Sequence, residues 1–324
     1  MVIDRDRIVA VEETTGATPD LTLAPGLIDL QVNGLADLDV ADGSPADLHA
    51  LGLLLASRGT TSWCPTLCSR RLDWYDGWFE SHPEPAPGEI GIHLEGPFIA
   101  HPGAHPSAVL RPPDRSWLAA LPARVRLVTL APEMPGALEA IADLSRRGVV
   151  VSLGHTDASY EQAVAGAEAG ARMVTHVFNG MVGLGHRDPG VVGAALTDDR
   201  LVPGLIGDGI HVHPAVMCLV VRATRALLVS DSVSTRGLEV SGGVARMADG
   251  TIAGSVITMA DAVRATVAAG ASLCAALVAA TATPAAVVGA GDRGVLTPGG
   301  RADVVAFGPG LDIDGVWVKG LQVA

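Results

Sequence analysis

Positive charge is scarce in this chain. Only 22 Lys and Arg stand against 35 Asp and Glu in 324 residues, a formal net charge of −13. Without a basic run there is no cationic surface to displace the counterions of a nucleic acid or an anionic membrane, so neither is an expected partner. Cysteine is scarce too. The four are Cys64, Cys68, Cys218 and Cys274, with no Cys-x-x-Cys pair. Cys64 and Cys68 fall in TSWCPTLCS, which reads as a buried strand and the turn after it. Their spacing weakly resembles half of a metal site, but no second half follows, so a structural role is expected. Nothing demands a disulfide, which fits a reducing cytoplasm. No long apolar run of membrane type occurs. Residues 265–291 carry no charge, but they are mostly Ala, Thr, Gly and Val, and include Gly270, Ser272 and Pro284. Two short buried helices broken near Gly270 are expected there. The opening MVIDRDRIVAVEETTG has no apolar stretch of leader type.

Hydrophobic residues are abundant, at 48%, and charged ones make up 18% without any low-complexity tract. A large core throughout the chain follows, and a closed α/β barrel reaches this length as one domain. Eight short apolar runs punctuate it: LIDLQV (27–32), TSWCPT (61–66), IGIHLE (90–95), VRLVTL (125–130), VVVSLG (149–154), MVTHVF (173–178), VPGLIG (202–207) and ALLVSD (226–231). Amphipathic stretches lie between most of them, at Ala46–Arg58, Gly136–Arg147, Ser159–Ala169 and Pro214–Ala223. Strand then helix, repeated eight times, predicts an α/β fold of the (β/α)8 TIM-barrel type over residues 25–292. Ser159 with Gln162 has capping-box spacing, and Pro214 suits a first helical position. The ends differ. Alternation at Arg7–Val11 and Leu21–Leu23, and the patterns GVLTPGGRADVVAF and GVWVKGLQV, predict strands punctuated by Gly and Pro. Residues 1–24 and 293–324 are therefore expected to meet in a small β-sandwich-like domain.

The polar residues cluster at the predicted strand ends, where barrel enzymes place their sites. Strand one ends in Asp29, Gln31 and Asn33, and strand three in Glu95. Strand five runs into His155, strand six carries His176 and Asn179, strand seven leads to Asp208 and His211, and strand eight ends in Asp231. Each alone could be a structural residue. Together, one carboxylate, two imidazoles and a further carboxylate match a catalytic metal site with an open position for water. His93 shares the face of Glu95 one layer deeper and is expected to be structural. His49 and His82 are expected at the surface.

The segments APGLIDLQVNG (24–34), GIHLEGPFI (91–99), TLAPE (129–133), SLGHTDASYEQA (152–163), THVFNGM (175–181), HRDPGVVGAAL (186–196), GDGIHVHP (207–214), LVSDS (228–232) and GTIAGSVITMADAVR (250–264) carry a resemblance. In order and spacing they are similar to the N-acetylglucosamine-6-phosphate deacetylase family of the amidohydrolase superfamily. The resemblance implies a divalent ion held by Glu95, His155 and His176, zinc first, with iron, cobalt or manganese as alternatives. It implies that Asp231 is the catalytic acid and base, and that His105 polarises the acetyl carbonyl. It implies substrate contacts from His211, Asn179 and Gly180, and from Arg187 toward the phosphate, the arginine being supplied across a homodimer. Many amidohydrolases carry His-x-His at the end of strand one for a second metal. Gln31 and Asn33 stand there instead, so a single ion is expected. The loop from Glu95 to His105 is shorter than in relatives and lacks their basic residues, the strand-eight loop reads SDSVSTRG, and the N-terminal segment is short. The nearest alternative is an amidohydrolase acting on an unphosphorylated amino sugar or an N-acyl-amino acid. A non-catalytic sugar-phosphate sensor is disfavoured, because a sensor has no use for an acid–base carboxylate beside a metal.

Overall fold

The computed structural model describes residues 1–12 and 21–324. Eight strands form one parallel sheet in sequential order. They are β1 (Leu27–Val32), β2 (Thr60–Leu67), β3 (Ile92–Glu95), β4 (Val125–Leu130), β5 (Val150–Leu153), β6 (Met173–Val174), β7 (Val202–Ile206) and β8 (Leu227–Val229). The sheet returns on itself through a parallel bridge between Val32 and Ser232. Asp231 N donates to Gln31 O at 3.0 Å and Asn33 N to Ser232 O at 2.8 Å across the same seam. This is the (β/α)8 barrel. β1 and β2 are buried at every position, as expected of parallel strands covered on one side by helices and on the other by the barrel interior.

Helix starts follow local chemistry. Ser44 and Asp47 form a reciprocal capping box on Pro45–Ser57, and Ser159 and Gln162 do so on Tyr160–Ala169. Pro214 opens Pro214–Ala223, whose first turn is also capped by the His213 ring.

Two expectations need correction. The uncharged segment forms parts of three helices, not two: Met259–Ala268, Leu273–Ala280 and Ala282–Val287. The break at Gly270, with φ 103°, was legible, whereas the second break at Thr281 was not. Among the described residues no helix is long and apolar enough to cross a membrane. In the stretch GVLTPGGRADVVAF, only Val304–Phe307 is a strand. Gly294 and Gly299 both take positive φ on either side of Pro298, which turns the chain where a strand was expected.

Val304–Phe307 lies between Thr22–Pro25 and Ile313–Val318, both antiparallel to it, and Leu321–Gln322 completes this four-stranded sheet. Val2–Asp4 pairs with Arg7–Ala10, and Arg7 bridges to Arg301. Residues 13–20 of the expected N-terminal segment lie outside the described residues. A further antiparallel sheet, Glu239–Ser241, Val244–Arg246 and Ile252–Ser255, follows β8. Its last strand touches the barrel mouth, where Ser255 N donates to Asp231 O at 3.0 Å.

Candidate metal and acid–base site

Glu95 closes β3, His155 follows β5, and His176 follows β6, so their side chains meet at the C-terminal mouth of the barrel. Glu95 Oε1 lies 3.2 Å from His155 Nε2 and 3.0 Å from His176 Nε2, and the two Nε2 atoms are 3.1 Å apart. His155 Nδ1 is 2.8 Å from the carbonyl of His101. A carbonyl only accepts, so Nδ1 carries a proton, and Nε2 is the nitrogen that would present its lone pair to a cation bound at the centre. The vertices of a tetrahedron around an ion at about 2.0–2.1 Å are about 3.3–3.4 Å apart, close to the separations found. All three side chains are buried, which leaves one carboxylate and two imidazoles facing one another with little water. This donor set fits a borderline divalent cation.

The backbone is strained at these positions. His155, His176 and Asp231 have φ of 48°, 26° and 48°, in the region L side chains rarely adopt. Strain of this kind persists only where the surroundings fix it, and it concentrates at functional sites. Gly180 is part of that fixing. It has φ 60°, and a Cβ there would sit 2.9 Å from His155 Nδ1. Only glycine lets the backbone after β6 lie against the His155 ring.

Asp231, directly after β8, is linked to this triad by neutral donors. Gln31 Nε2 donates to Glu95 Oε1 and to Asp231 Oδ1, each at 3.1 Å, and Asn33 Nδ2 donates to Asp231 Oδ1 at 2.9 Å. The two amides occupy the places where histidines would ligate a second ion. Their N–H groups face the carboxylates and cannot ligate. Burial, and then the charge of Glu95, push Asp231 up to about 7. Burial also opposes ionisation of Glu95, but hydrogen bonds from both imidazoles outweigh it and hold Glu95 well below the usual carboxylate range. His176 moves the other way. Burial lowers it, yet the hydrogen bond and charge of Glu95 raise it to about 8. Beneath Asp231, Ser230 Oγ donates to Asp29 Oδ2 at 2.5 Å, and Ser230 N and Gln31 N donate to Asp29 Oδ1. This tie joins the first and last strands directly under Asp231.

The shortened loop still delivers His105. Its ring centroid is 4.4 Å from that of His155. His105 Nδ1 accepts the Ser69 backbone N–H at 3.1 Å and lies 2.7 Å from Ser69 Oγ. A backbone N–H can only donate, so the neutral ring carries its proton on Nε2. Burial pushes His105 down to about 3, which keeps it neutral. Ser69 was not singled out in the sequence. Its only signal was position, two residues past the end of β2.

The remaining residues are spread around the mouth. His211 Nδ1 is 2.6 Å from Asp208 Oδ2. Asn179 Nδ2 donates to the His176 carbonyl at 3.2 Å, supporting the strained turn. Arg187 is exposed, with Nη1 2.7 Å from His186 Nε2, and it is not brought to the triad in this single chain. His93 is fully buried between the Leu30 carbonyl at 3.1 Å and Thr129 Oγ1 at 2.8 Å, a structural placement. His82 corrects the sequence reading. It is buried, stacked on Trp78 at 4.3 Å, with Nε2 3.1 Å from the Gly43 carbonyl. Cys68 also departs from expectation. It sits at the site, with Sγ 3.1 Å from Asn33 Oδ1 and 3.8 Å from Glu95 Oε2.

The chain resembles known proteins along most of its length. The profile of the Amidohydrolase family matches residues 22–323. The chain belongs to the amidohydrolase family. Among curated members, N-acetylgalactosamine-6-phosphate deacetylase of Escherichia coli O157:H7 is 37% identical, over 92% of this chain and 86% of the relative. N-acetylglucosamine-6-phosphate deacetylase of Danio rerio is 38% identical, over 93% of this chain and 84% of the relative. Among solved structures, a mutant of N-acetyl-D-glucosamine-6-phosphate deacetylase from Mycobacterium smegmatis in complex with N-acetyl-D-glucosamine-6-phosphate superposes with a TM-score of 0.92. It is 31% identical and is matched over 99% of this chain and 93% of that one. As an amidohydrolase with deacetylase relatives on both measures, this chain is a hydrolase of amide C–N bonds.

Proposed function

We propose that the protein hydrolyses the N-acetyl group of N-acetylglucosamine 6-phosphate to glucosamine 6-phosphate and acetate. The observation that carries the reading is the convergence of Glu95, His155 and His176 on one point, with Asp231 joined to them through Gln31. Glu95, His155 and His176 would hold one divalent ion, zinc by the match of two imidazoles and a carboxylate. When bound, that ion supplies an activated water and Lewis acidity toward the acetyl oxygen.

The chain's own groups do the rest. Asp231 takes the proton of the attacking water and returns it to the leaving amine. Gln31 and Asn33 aim its carboxylate. His105, fixed by Ser69 with its proton on Nε2, donates to the acetyl oxygen as charge develops there. His211, set by Asp208, with Asn179 and Gly180, orients the sugar. Arg187 offers a planar guanidinium suited to the phosphate. Its exposure, with no carboxylate partner among the described residues, supports a homodimer in which it reaches the partner's site. Four free cysteines support a cytoplasmic setting.

A second reading is the C4 epimer, N-acetylgalactosamine 6-phosphate, favoured by the similarity to the Escherichia coli enzyme of that name. Acetate release from both epimers, each with and without the 6-phosphate, tests both readings. The first requires the highest kcat/KM on the phosphorylated gluco sugar. Preference for the galacto epimer selects the second reading. Equal efficiency on phosphorylated and unphosphorylated sugars contradicts both.

A further inference from the structure

The two oxygens of Glu95 face different partners. Oε1 faces His155, His176 and Gln31, whereas Oε2 faces Cys68 Sγ at 3.8 Å. On that second side, one ligand atom from each of Cys68, Glu95 and His105 lies within 4.8 Å of the others. Asn33 adds a carbonyl. Its Nδ2 is committed to Asp231, which turns Oδ1 to the thiol at 3.1 Å. Ser69 Oγ, 2.7 Å from His105 Nδ1, can accept a proton from that nitrogen, and in that tautomer Nε2 presents its lone pair.

We propose that Cys68, Glu95 and His105 form a second, inhibitory site for a soft divalent cation such as zinc, beside the first and sharing Glu95 with it. A thiolate, an imidazole and a carboxylate, with an amide oxygen in reach, make a set that zinc accepts in tetrahedral geometry. On binding, the Cys68 thiol releases its proton to solvent and forms the metal–sulfur bond, and His105 exchanges its Nε2 proton for one on Nδ1 that is held by Ser69 Oγ, giving up the bond from Ser69 N–H. The site is weaker than the first. Glu95 is shared, and the proton must be expelled from a thiol surrounded by carboxylates. It therefore fills only when metal is in excess. Filling it takes His105 away. A nitrogen that ligates a cation cannot donate a hydrogen bond to an acetyl oxygen, so occupancy competes with substrate. The inhibition rests on the deacetylase reading, whereas the metal site does not.

Cobalt(II) serves as the probe, because a cobalt–thiolate bond gives a charge-transfer absorption in the near ultraviolet that nitrogen and oxygen ligands do not. Metal-free protein titrated without substrate is expected to take a first equivalent with no thiolate band, then to develop the band beyond it. Cys68→Ser should abolish the band, and Cys274→Ser should keep it. In parallel, excess zinc should slow the wild type competitively with substrate. Cys68→Ser should need about 10- to 100-fold more zinc for half-inhibition, the loss typical of removing a group that supports a metal. Absence of the band in wild type, its persistence in Cys68→Ser, or unchanged zinc sensitivity in that variant would each overturn the proposal. If the protein does not release acetate from any sugar, the cobalt spectrum still decides the metal site alone.

Discussion

Replacing Asp231 by Asn removes one negative charge and one base and little else. Position 231 has φ 48°, a conformation that Asn tolerates better than most residues, so the backbone should hold. The amide oxygen can still accept from Gln31 Nε2 and Asn33 Nδ2, which now reach Oδ1 at 3.1 and 2.9 Å. Glu95, His155 and His176 are untouched, so metal retention should match the wild type. What is lost is proton transfer, worth roughly 10²- to 10⁴-fold, or about 3–5 kcal/mol of barrier. Steady-state kcat at saturating substrate, with metal content measured on the same sample, reads this directly. The pH profile adds a signature. Only ionised Asp231 can take a proton, so wild-type kcat/KM should fall as pH drops through its pKa. That pKa is about 7 without a cation and lower with one beside it. The limb should vanish from the residual activity of the variant. A fully metallated Asp231→Asn enzyme with near-normal kcat would refute the role and move it to another group.

Asp29 gives a stability prediction. Burial raises it to about 6 from 3.8, despite its hydrogen bonds from Ser230 and Gln31. The folded state therefore keeps a proton that the unfolded chain has lost between those values, and this side chain's contribution to stability falls as pH rises through that window. At about 1.4 kcal/mol per pKa unit, the loss is about 3 kcal/mol, and Asp29→Asn should gain about that much on wild type between about pH 4 and about pH 7. Urea unfolding of both proteins at the two pH values checks it, and a pH-independent difference would contradict it. Gly180→Ala should cost about 1–2 kcal/mol for the positive φ alone, and its Cβ should displace the His155 ring. Faster metal loss to a chelator is the expected readout, and an unchanged rate would deny Gly180 its part in setting that ligand. Arg187→Ala should lower kcat/KM on the phosphorylated sugar by roughly 1.5–3 kcal/mol while sparing the unphosphorylated one. An equal loss on both would remove the phosphate contact.

The eight strands were legible because each is a short apolar run bounded by turns, and β1 and β2 are buried on both faces. Glu95, His155, His176 and Asp231 were legible because strand ends in such a barrel all point to one mouth. Their strained φ values were not, since no residue type marks a histidine at φ 48°. Gln31 and Asn33 were noticed only as missing ligands. That they are donors between two carboxylates depends on distances across the barrel. Ser69 and Cys68 follow the end of β2, and nothing local shows that the loop after β3 folds His105 back onto them. His82 failed as a surface residue because its burial comes from stacking on Trp78, one turn earlier on the same helix, and from a carbonyl 39 residues away.

The most direct test is hydrolysis of N-acetylglucosamine 6-phosphate in ¹⁸O-enriched water by protein holding one equivalent of metal after dialysis. The account predicts acetate and free amine in equal amounts, one ¹⁸O atom in each acetate, no turnover after chelation, and recovery when a single equivalent of zinc is restored. Full activity in the chelated protein, or no acetate from the metallated one, would contradict it.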